Sequence, residues 1–177
     1  RLNMAKKKLT KQVLMRELIK CSRDSLYFIN TYCYISHPIK GKIPFKLFDF
    51  QEECVEQFEE HRFNIILKSR QVGLSTVTAA YVLWFILFHP GKEVVVIANK
   101  QKAAHNFIRK IKFMSRQLPQ QFVPNVVNDS MSEYALSNES KVSAAATTKD
   151  AGRSEALSLL VIDEAAIIEH EKIEDLW

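Results

Sequence analysis

The sequence predicts an α/β fold in which helices flank a mostly parallel sheet. Largely apolar runs that suit buried strands occur at residues 63–67, Glu93–Ala98 and 159–162. Longer helical stretches lie between them, almost wholly apolar at 75–88 and amphipathic at 101–116. Strands that alternate with helices are typical of parallel sheets, because each helix carries the chain back to the same end of the sheet.

Length and composition suit one globular chain. It has 177 residues, of which 47% are hydrophobic and 25% charged, so it can bury a sizeable core. The three cysteines show no metal-ligand spacing and suit a reducing compartment. We expect no signal peptide, and the long uncharged stretch at 72–88 is interpreted as a buried helix rather than a membrane span.

The N-terminal part is predicted to be helical. Residues 10–21 have the pattern of an amphipathic helix, and the aromatic-rich residues 24–34 predict a second one. Residues 36–46, which include two prolines and a glycine, should form a loop or a short extended segment. We therefore expect a helical segment at 1–46 that packs on a main domain at 47–177.

The main domain is expected to begin with a helix. Asp49 can cap this helix, and Glu52 is placed for a capping box. After the second predicted helix, residues 118–129 should be irregular and 134–146 should form a hairpin or two short strands. Residues 147–156 are predicted to be a polar loop that leads into the last strand.

A loop with one glycine joins the first predicted strand to the apolar helix. We call it the glycine loop, and it consists of Lys68, Ser69, Arg70, Gln71, Val72, Gly73, Leu74, Ser75 and Thr76. A strand, a tight turn and a helix start aim backbone N–H groups at phosphate. Gly73 permits close backbone approach, and Ser75 offers a hydroxyl to Mg²⁺.

The glycine loop departs from the usual phosphate-binding pattern G-x-x-x-x-G-K-[ST]. Leu74 stands where the lysine belongs, and Lys68 stands where the first glycine belongs. Either Lys68 or Arg70 must therefore supply the cation that Leu74 cannot. The alternative is an ordinary strand, turn and helix with a basic turn.

Two carboxylates follow the last predicted strand. Asp163 and Glu164 come directly after residues 159–162, in the form of a Walker B motif. Ligands of open α/β sheets bind beyond the carboxyl ends of the strands, so Asp163 would hold Mg²⁺ together with Ser75. Glu164 would orient and polarise the attacking water. A strand that ends in a solvated acidic turn is the alternative, but both motifs in this order favour a nucleotide site.

Three further side chains could take part. The amide of Gln51 offers a donor and an acceptor, which matches the adenine edge, although a solvent-facing helix residue is the alternative. Arg70 in the loop could contact the γ-phosphate. Arg153 follows Gly152 just before the last strand, and either arginine could neutralise charge on the transferred phosphoryl group. An ordinary surface arginine is the alternative for Arg153.

The order of these motifs resembles the ATPase domain of the large terminase subunit, the DNA-packaging motor of tailed bacteriophages. The matching stretches are Y-C-Y-I at 32–35, L-x-D-[FY]-Q at 47–51, S-R-Q-x-G-x-[ST]-T at 69–76, V-x-I-A-x-K at 95–100, G-R-S at 152–154 and V-I-D-E-A at 161–165. The resemblance implies a P-loop NTPase of the ASCE, RecA-like class. It implies ATP and Mg²⁺ as cofactors.

The resemblance also implies a role for each matching position. By this resemblance, Gln51 senses adenine, Lys68 is a phosphate lysine shifted to the start of the loop, and Glu164 is the catalytic carboxylate. Arg70 would be an arginine finger acting in cis, whereas Arg153 lies where some members place an arginine that acts on the neighbouring subunit. The implied magnesium positions are Ser75 and Asp163.

Members of this family work as rings, commonly pentamers, on the portal of an empty capsid in the host cytoplasm, and are not part of the mature virion. The resemblance thus implies double-stranded DNA, the portal protein and the small terminase subunit as partners. It also implies a C-terminal endonuclease in the full-length protein. Since the chain ends soon after the acidic motif, we expect a monomeric ATPase fragment without the nuclease.

Two alternative functions remain at this stage. One is a helicase-type nucleic-acid ATPase of superfamily 2, because residues 163–166 are close to a D-E-A-D box. Such helicases normally keep G-K-[ST], so Leu74 argues against this class. The other is a module that binds DNA or portal without hydrolysis, against which the combination of Ser75, Asp163 and Glu164 argues.

Overall fold

The computed structural model describes residues 11–146 and 157–165. Within these ranges the helices are α1 (Lys11–Arg23), α2 (Ser25–Tyr32), α3 (Asp49–Glu60), α4 (Leu74–Phe88) and α5 (Gln101–Ser115), with a 3₁₀ turn at Gln120–Phe122. The strands are β1 (Tyr34–His37), β2 (Gly41–Pro44), β3 (Glu93–Ala98), β4 (Val126–Asp129), β5 (Glu133–Leu136), β6 (Lys141–Ala146) and β7 (Leu159–Asp163).

The main sheet has five strands in the order β4-β5-β6-β3-β7. β3 pairs in parallel with β6 on one side and with β7 on the other. β5 pairs antiparallel with both β4 and β6. The α/β class is thus confirmed, but the sheet is mixed rather than mostly parallel.

The mixed character comes from the hairpin that joins β5 to β6. Asn138 stands in its turn, and its amide Nδ2 donates to the carbonyl of Ile86 at 2.9 Å. Glu139 follows with a φ of 65°, a left-handed conformation that reverses the chain. The predicted hairpin at 134–146 is therefore present, and it places antiparallel strands beside the parallel ones.

Helix α4 lies at the centre of the hydrophobic core. It is apolar on all sides, because it packs against α1, α2 and α3 as well as α5 and the sheet. The indole Nε1 of Trp84 donates to the carbonyl of Cys21 in α1 at 2.7 Å. Helices α1 and α2 therefore share one core with the rest of the described chain. None of the described helices is long and apolar enough to cross a bilayer.

The buried strand predicted at residues 63–67 is not formed. These residues form no regular secondary structure, and Ile65 and Leu67 are 100% and 101% exposed. An apolar, β-branched run becomes a strand only where a neighbouring strand accepts its hydrogen bonds. In the described part of the chain, β7 is an edge strand that pairs only with β3, so residues 63–67 do not extend the sheet beside it.

The start of α3 also differs from the prediction. Its N-cap is Phe48 rather than Asp49. The backbone N–H of Phe48 donates to Oε1 of Gln51 at 3.2 Å, so Gln51 takes the capping position that was predicted for Glu52. Glu52 instead accepts a hydrogen bond from Asn30 of α2 at 2.8 Å.

The second helix is shorter than predicted. Asp24 caps α2 by accepting the N–H of Tyr27 at 2.6 Å, and the helix ends at Tyr32 because β1 begins two residues later. Strands β1 and β2 form a two-stranded hairpin where a loop or extended segment was expected. The loop predicted at 147–156 lies outside the described residues.

Candidate functional site

Three side chains from two distant parts of the sequence meet at the carboxyl end of β7. The hydroxyl of Ser75 donates to Oδ1 of Asp163 at 3.0 Å. The ammonium group of Lys68 lies 3.7 Å from the same carboxylate oxygen and 3.5 Å from Ser75 Oγ. The glycine loop and the acidic motif therefore form one polar cluster, as the sequence predicted.

The sheet register and the helix start explain this meeting. Asp163 is the last residue of β7 and stands opposite Ala98, the last residue of β3. The carboxyl ends of these two parallel strands therefore lie next to each other at the same end of the sheet. Ser75 occupies the first turn of α4, so its hydroxyl and Asp163 meet at the N-terminus of this helix.

Gly73 makes the tight turn into α4. Its φ of 80° is left-handed, which glycine adopts without steric cost. Its carbonyl accepts the N–H groups of Thr76 at 2.8 Å and Val77 at 3.1 Å, which starts the helix. Gln71 also has a positive φ, 65°, so the chain bends twice within the loop.

Leu74 and Lys68 lie in different surroundings. The side chain of Leu74 is 6% exposed and belongs to the hydrophobic core. Lys68 reaches the Ser75 hydroxyl from the start of the loop and keeps 31% of its side chain exposed. Of the two cations that the sequence offered in place of Leu74, Lys68 lies beside Ser75 and Asp163, whereas Arg70 is exposed.

Gln51 is buried behind the loop. It is 3% exposed, and its Nε2 donates to the carbonyl of Val72 at 3.0 Å. Its Oε1 accepts from Phe48, as described above. The alternative of a solvent-facing residue is therefore wrong, because the side chain connects α3 to the glycine loop.

The other predicted residues lie around the cluster or outside the described ranges. Ser69, Arg70 and Gln71 are exposed. Glu164 is also exposed and has a φ of 58°, so the chain turns sharply just after Asp163. Arg153 lies outside the described residues.

A cavity of about 490 Å³ borders the glycine loop. It is lined by residues of α3 and of 64–69, together with Val72 and Leu74. Phe50 lines its wall and stacks on Phe48, with ring centroids 6.0 Å apart. A half-exposed aromatic ring beside a polar loop can hold a planar group, and the sequence reasoning missed this feature.

Lys110 is a further cation that the sequence reasoning missed. Burial lowers the pKa of this α5 lysine, while the carboxylate of Asp163 acts in the opposite direction and the ammonium of Lys68 lowers it further. Lys110 thus belongs to the electrostatic surroundings of the cluster. No spacing in the sequence marks it, because α5 reaches this position only by packing on the sheet.

The two oxygens of Ser75 and Asp163 fit a magnesium ion. Mg²⁺ binds oxygen at about 2.0–2.1 Å in octahedral geometry, so neighbouring ligands stand about 2.9 Å apart. The observed separation is 3.0 Å. Mg²⁺ usually takes one or two protein ligands and keeps several waters. Among the described residues, no group of three or more His, Cys, Asp or Glu residues could hold a metal.

Residues 65–177, more than half of the chain, match the family described as the terminase large subunit, T4likevirus-type, N-terminal. The chain belongs to this family. The matched range includes the whole glycine loop and the acidic motif. The resemblance drawn from the sequence motifs is thereby confirmed.

The fold of this terminase chain is also similar to a solved structure, the crystal structure of the HK97 bacteriophage large terminase. The TM-score is 0.59 at 14% sequence identity, and the alignment covers 80% of this chain and 37% of that chain. At this identity the likeness concerns the fold alone. The terminase chain spans little more than a third of the length of that relative.

Proposed function

We propose that this terminase chain is a P-loop ATPase domain of the RecA-like class. The observation that carries the proposal is the contact between Ser75 and Asp163, with Lys68 beside both. A hydroxyl at a helix N-terminus, a carboxylate at a strand end and a lysine are the groups that hold Mg²⁺ and a polyphosphate.

Each residue has a specific task in this proposal. Ser75 and Asp163 would hold Mg²⁺, which when bound neutralises charge on the phosphates. Lys68, whose ammonium group lies 3.7 Å from Asp163 and 3.5 Å from Ser75, would supply positive charge to the phosphates. The N–H groups at the start of α4 would contact the same phosphate oxygens.

Glu164 acts as the general base of the proposed hydrolysis. It orients the attacking water and accepts a proton from it as the bond from the water oxygen to the γ-phosphorus forms. The bond from the γ-phosphorus to the β,γ-bridging oxygen breaks, and the products are ADP and inorganic phosphate. Its exposed position directly after Asp163 leaves it open to water. Arg70 in cis or Arg153 from a neighbouring subunit would stabilise the charge that develops on the transferred group.

The proposal extends to the full-length protein. We propose that ATP hydrolysis in a ring, commonly a pentamer, moves double-stranded DNA into a procapsid in the host cytoplasm. The portal protein and the small terminase subunit would be its partners, and a C-terminal nuclease would cut the DNA. The family match supports this over the helicase and the non-hydrolysing module.

The first test of the proposal is Glu164→Gln in the full-length protein, with DNA and portal present. We expect ATP turnover to fall by at least about 10²–10³-fold while ATP binding is kept, because the amide accepts no proton. Glu56→Gln, on the exposed side of α3, is the matched control and should behave as wild type. Normal turnover in Glu164→Gln would refute the assignment of the base.

The second test is Lys68→Ala. We expect both ATP binding and turnover to weaken, because the loop loses the cation beside Ser75. Lys40→Ala removes an equal charge from an exposed hairpin turn and serves as control. If Lys68→Ala hydrolyses ATP normally, Arg70 becomes the phosphate cation instead.

A further inference from the structure

We propose that Gln51 is a positioning residue that sets the shape of the glycine loop and acts through the loop rather than on the adenine base. The part of this inference that concerns nucleotide binding rests on the proposed function. It is carried by the two hydrogen bonds of the Gln51 amide, by its burial and by its contact with Gly73.

Both ends of the amide are engaged, and this fixes its orientation. Oε1 accepts the N–H of Phe48 at 3.2 Å, and Nε2 donates to the carbonyl of Val72 at 3.0 Å. A flipped amide would place oxygen against the Val72 carbonyl and NH₂ against the Phe48 N–H, so neither bond could form. The start of α3 therefore holds Gln51 in the one orientation that pins the loop.

The pinned carbonyl determines where the next N–H points. In a planar trans peptide, the C=O of Val72 and the N–H of Gly73 point in opposite directions. Because Gln51 holds the carbonyl towards α3, the N–H of Gly73 is directed away from α3. This N–H is one of the backbone donors that the proposed phosphate site would use.

Gly73 and Gln51 also fit each other sterically. A Cβ at Gly73 would lie 3.0 Å from Nε2 of Gln51, which is tighter than ordinary contact. A side chain at position 73 would press on the amide that holds the Val72 carbonyl, and the amide would have to shift by a few tenths of an ångström.

Burial argues against a direct contact with the base. Gln51 is 3% exposed, whereas an amide that reads the adenine edge must present a free N–H and a free lone pair to the ligand. Its neighbours Phe48 and Phe50 are 66% and 46% exposed, so the chain presents aromatic rings rather than this amide at its surface.

The test compares Gln51→Glu and Gln51→Met in the full-length protein. Glutamate keeps the acceptor for Phe48 but has no donor for Val72, and methionine keeps the volume without either bond. Gln121→Glu, at an exposed position outside the site, controls for the added charge. Hydrogen exchange of residues 70–76 is measured without nucleotide, and binding is measured for Mg²⁺-ATP and for Mg²⁺-tripolyphosphate, which has no base.

We expect faster exchange at 70–76 in both variants, with unchanged exchange in β3 and α5. Binding of ATP and of tripolyphosphate should weaken by the same factor, roughly three- to tenfold for the loss of one such hydrogen bond. Neither change should occur in Gln121→Glu. A merely structural residue would lower the melting temperature without this local signature.

Three outcomes would overturn the inference. In the first, ATP binding weakens while tripolyphosphate binding does not, which would make Gln51 a reader of adenine. In the second, exchange at 70–76 stays as in wild type. In the third, both variants fail to fold while Gln121→Glu folds. If wild type binds no nucleotide, the proposed function fails, but the exchange measurement still decides the role of Gln51.

Discussion

Single residues in the glycine loop owe their identity to different physical demands. Gly73 needs a left-handed φ, Leu74 needs a place in the core, and Ser75 needs to reach Asp163. The lysine at the start of the loop serves the same cluster from the other end. Although the lysine stands at the start of the loop rather than after the glycine, the cluster still contains a lysine, a hydroxyl and a carboxylate.

Gly73→Ala should destabilise the protein more than Gly91→Ala. Both glycines have positive φ, 80° and 67°, so alanine costs about 1–2 kcal/mol of backbone strain at either position. Only at Gly73 would the new Cβ press on Gln51, since nothing lies within 4 Å at Gly91. Urea unfolding of both variants measures the difference.

Nucleotide binding provides a second readout for this pair. We expect Gly73→Ala to weaken Mg²⁺-ATP binding and Gly91→Ala to leave it unchanged. Equal stability losses in the two variants would show that the contact with Gln51 has no energetic consequence.

Elements differ in how well their neighbours cover them. Helix α4 is enclosed by other helices and the sheet, whereas residues 63–67 form no regular secondary structure and are largely exposed. Two of the three cysteines, Cys21 and Cys33, are buried, whereas Cys54 on α3 is only partly buried.

The thiols should therefore react in a fixed order. Burial raises the pKa of Cys21 to about 12 and raises that of Cys33 as well. At pH 8 a thiol with a pKa of 12 is thiolate in roughly one molecule in ten thousand, and thiolate is the reactive form. The pKa of Cys54 is also raised by burial, but its side chain borders the cavity and is accessible.

Titration with a disulfide reagent at pH 8 checks this order. We expect at most one fast thiol in the folded protein and three after unfolding. Cys54→Ser should remove the fast one. Fast labelling of Cys21 or Cys33 in that variant would contradict the packing of α1 and α2.

The exposed segment at 63–67 should bind apolar dyes. Ile65 and Leu67 present their whole side chains to solvent, and contiguous exposed apolar groups attract such molecules. We expect Ile65→Ser with Leu67→Ser to lower ANS fluorescence of this chain, with a change in stability of at most about 0.5 kcal/mol. A large loss of stability would mean that these side chains are packed.

The whole described chain shares one main hydrophobic core, which joins the N-terminal helices to the sheet. Trp84 is central to this connection, because its indole N–H donates to the Cys21 carbonyl near the end of α1. Carbonyls at a helix C-terminus lack partners within the helix, so this bond satisfies one of them.

Trp84→Phe should weaken the attachment of α1. We expect a loss of about 1–3 kcal/mol, because the carbonyl of Cys21 loses its partner in a buried place. Chemical unfolding measures the loss, and hydrogen exchange should increase in α1 more than in β3. A uniform increase would instead mean that Trp84 contributes only to the common core.

The sequence by itself determined the elements whose signals are local. The apolar run at Glu93–Ala98 became β3, and the periodic residues of 101–116 became α5. The pairing of Ser75 with Asp163 was also predictable, because a strand end and a helix start carry chemical signatures that depend on few neighbours. The tight turn at Gly73 and the absence of a lysine at position 74 could likewise be identified from the local sequence.

Only the tertiary structure decided the features that depend on distant partners. Residues 63–67 have the composition of a strand, but a strand requires a neighbour to accept its hydrogen bonds. The sheet is mixed because β6 pairs in parallel with β3, whereas β5 pairs antiparallel with both β6 and β4. The composition of each strand does not determine the direction of its pairing. The burial of Gln51 and the influence of the Asp163 carboxylate on the pKa of Lys110 likewise arise from packing, which brings together residues whose sequence separation carries no signal.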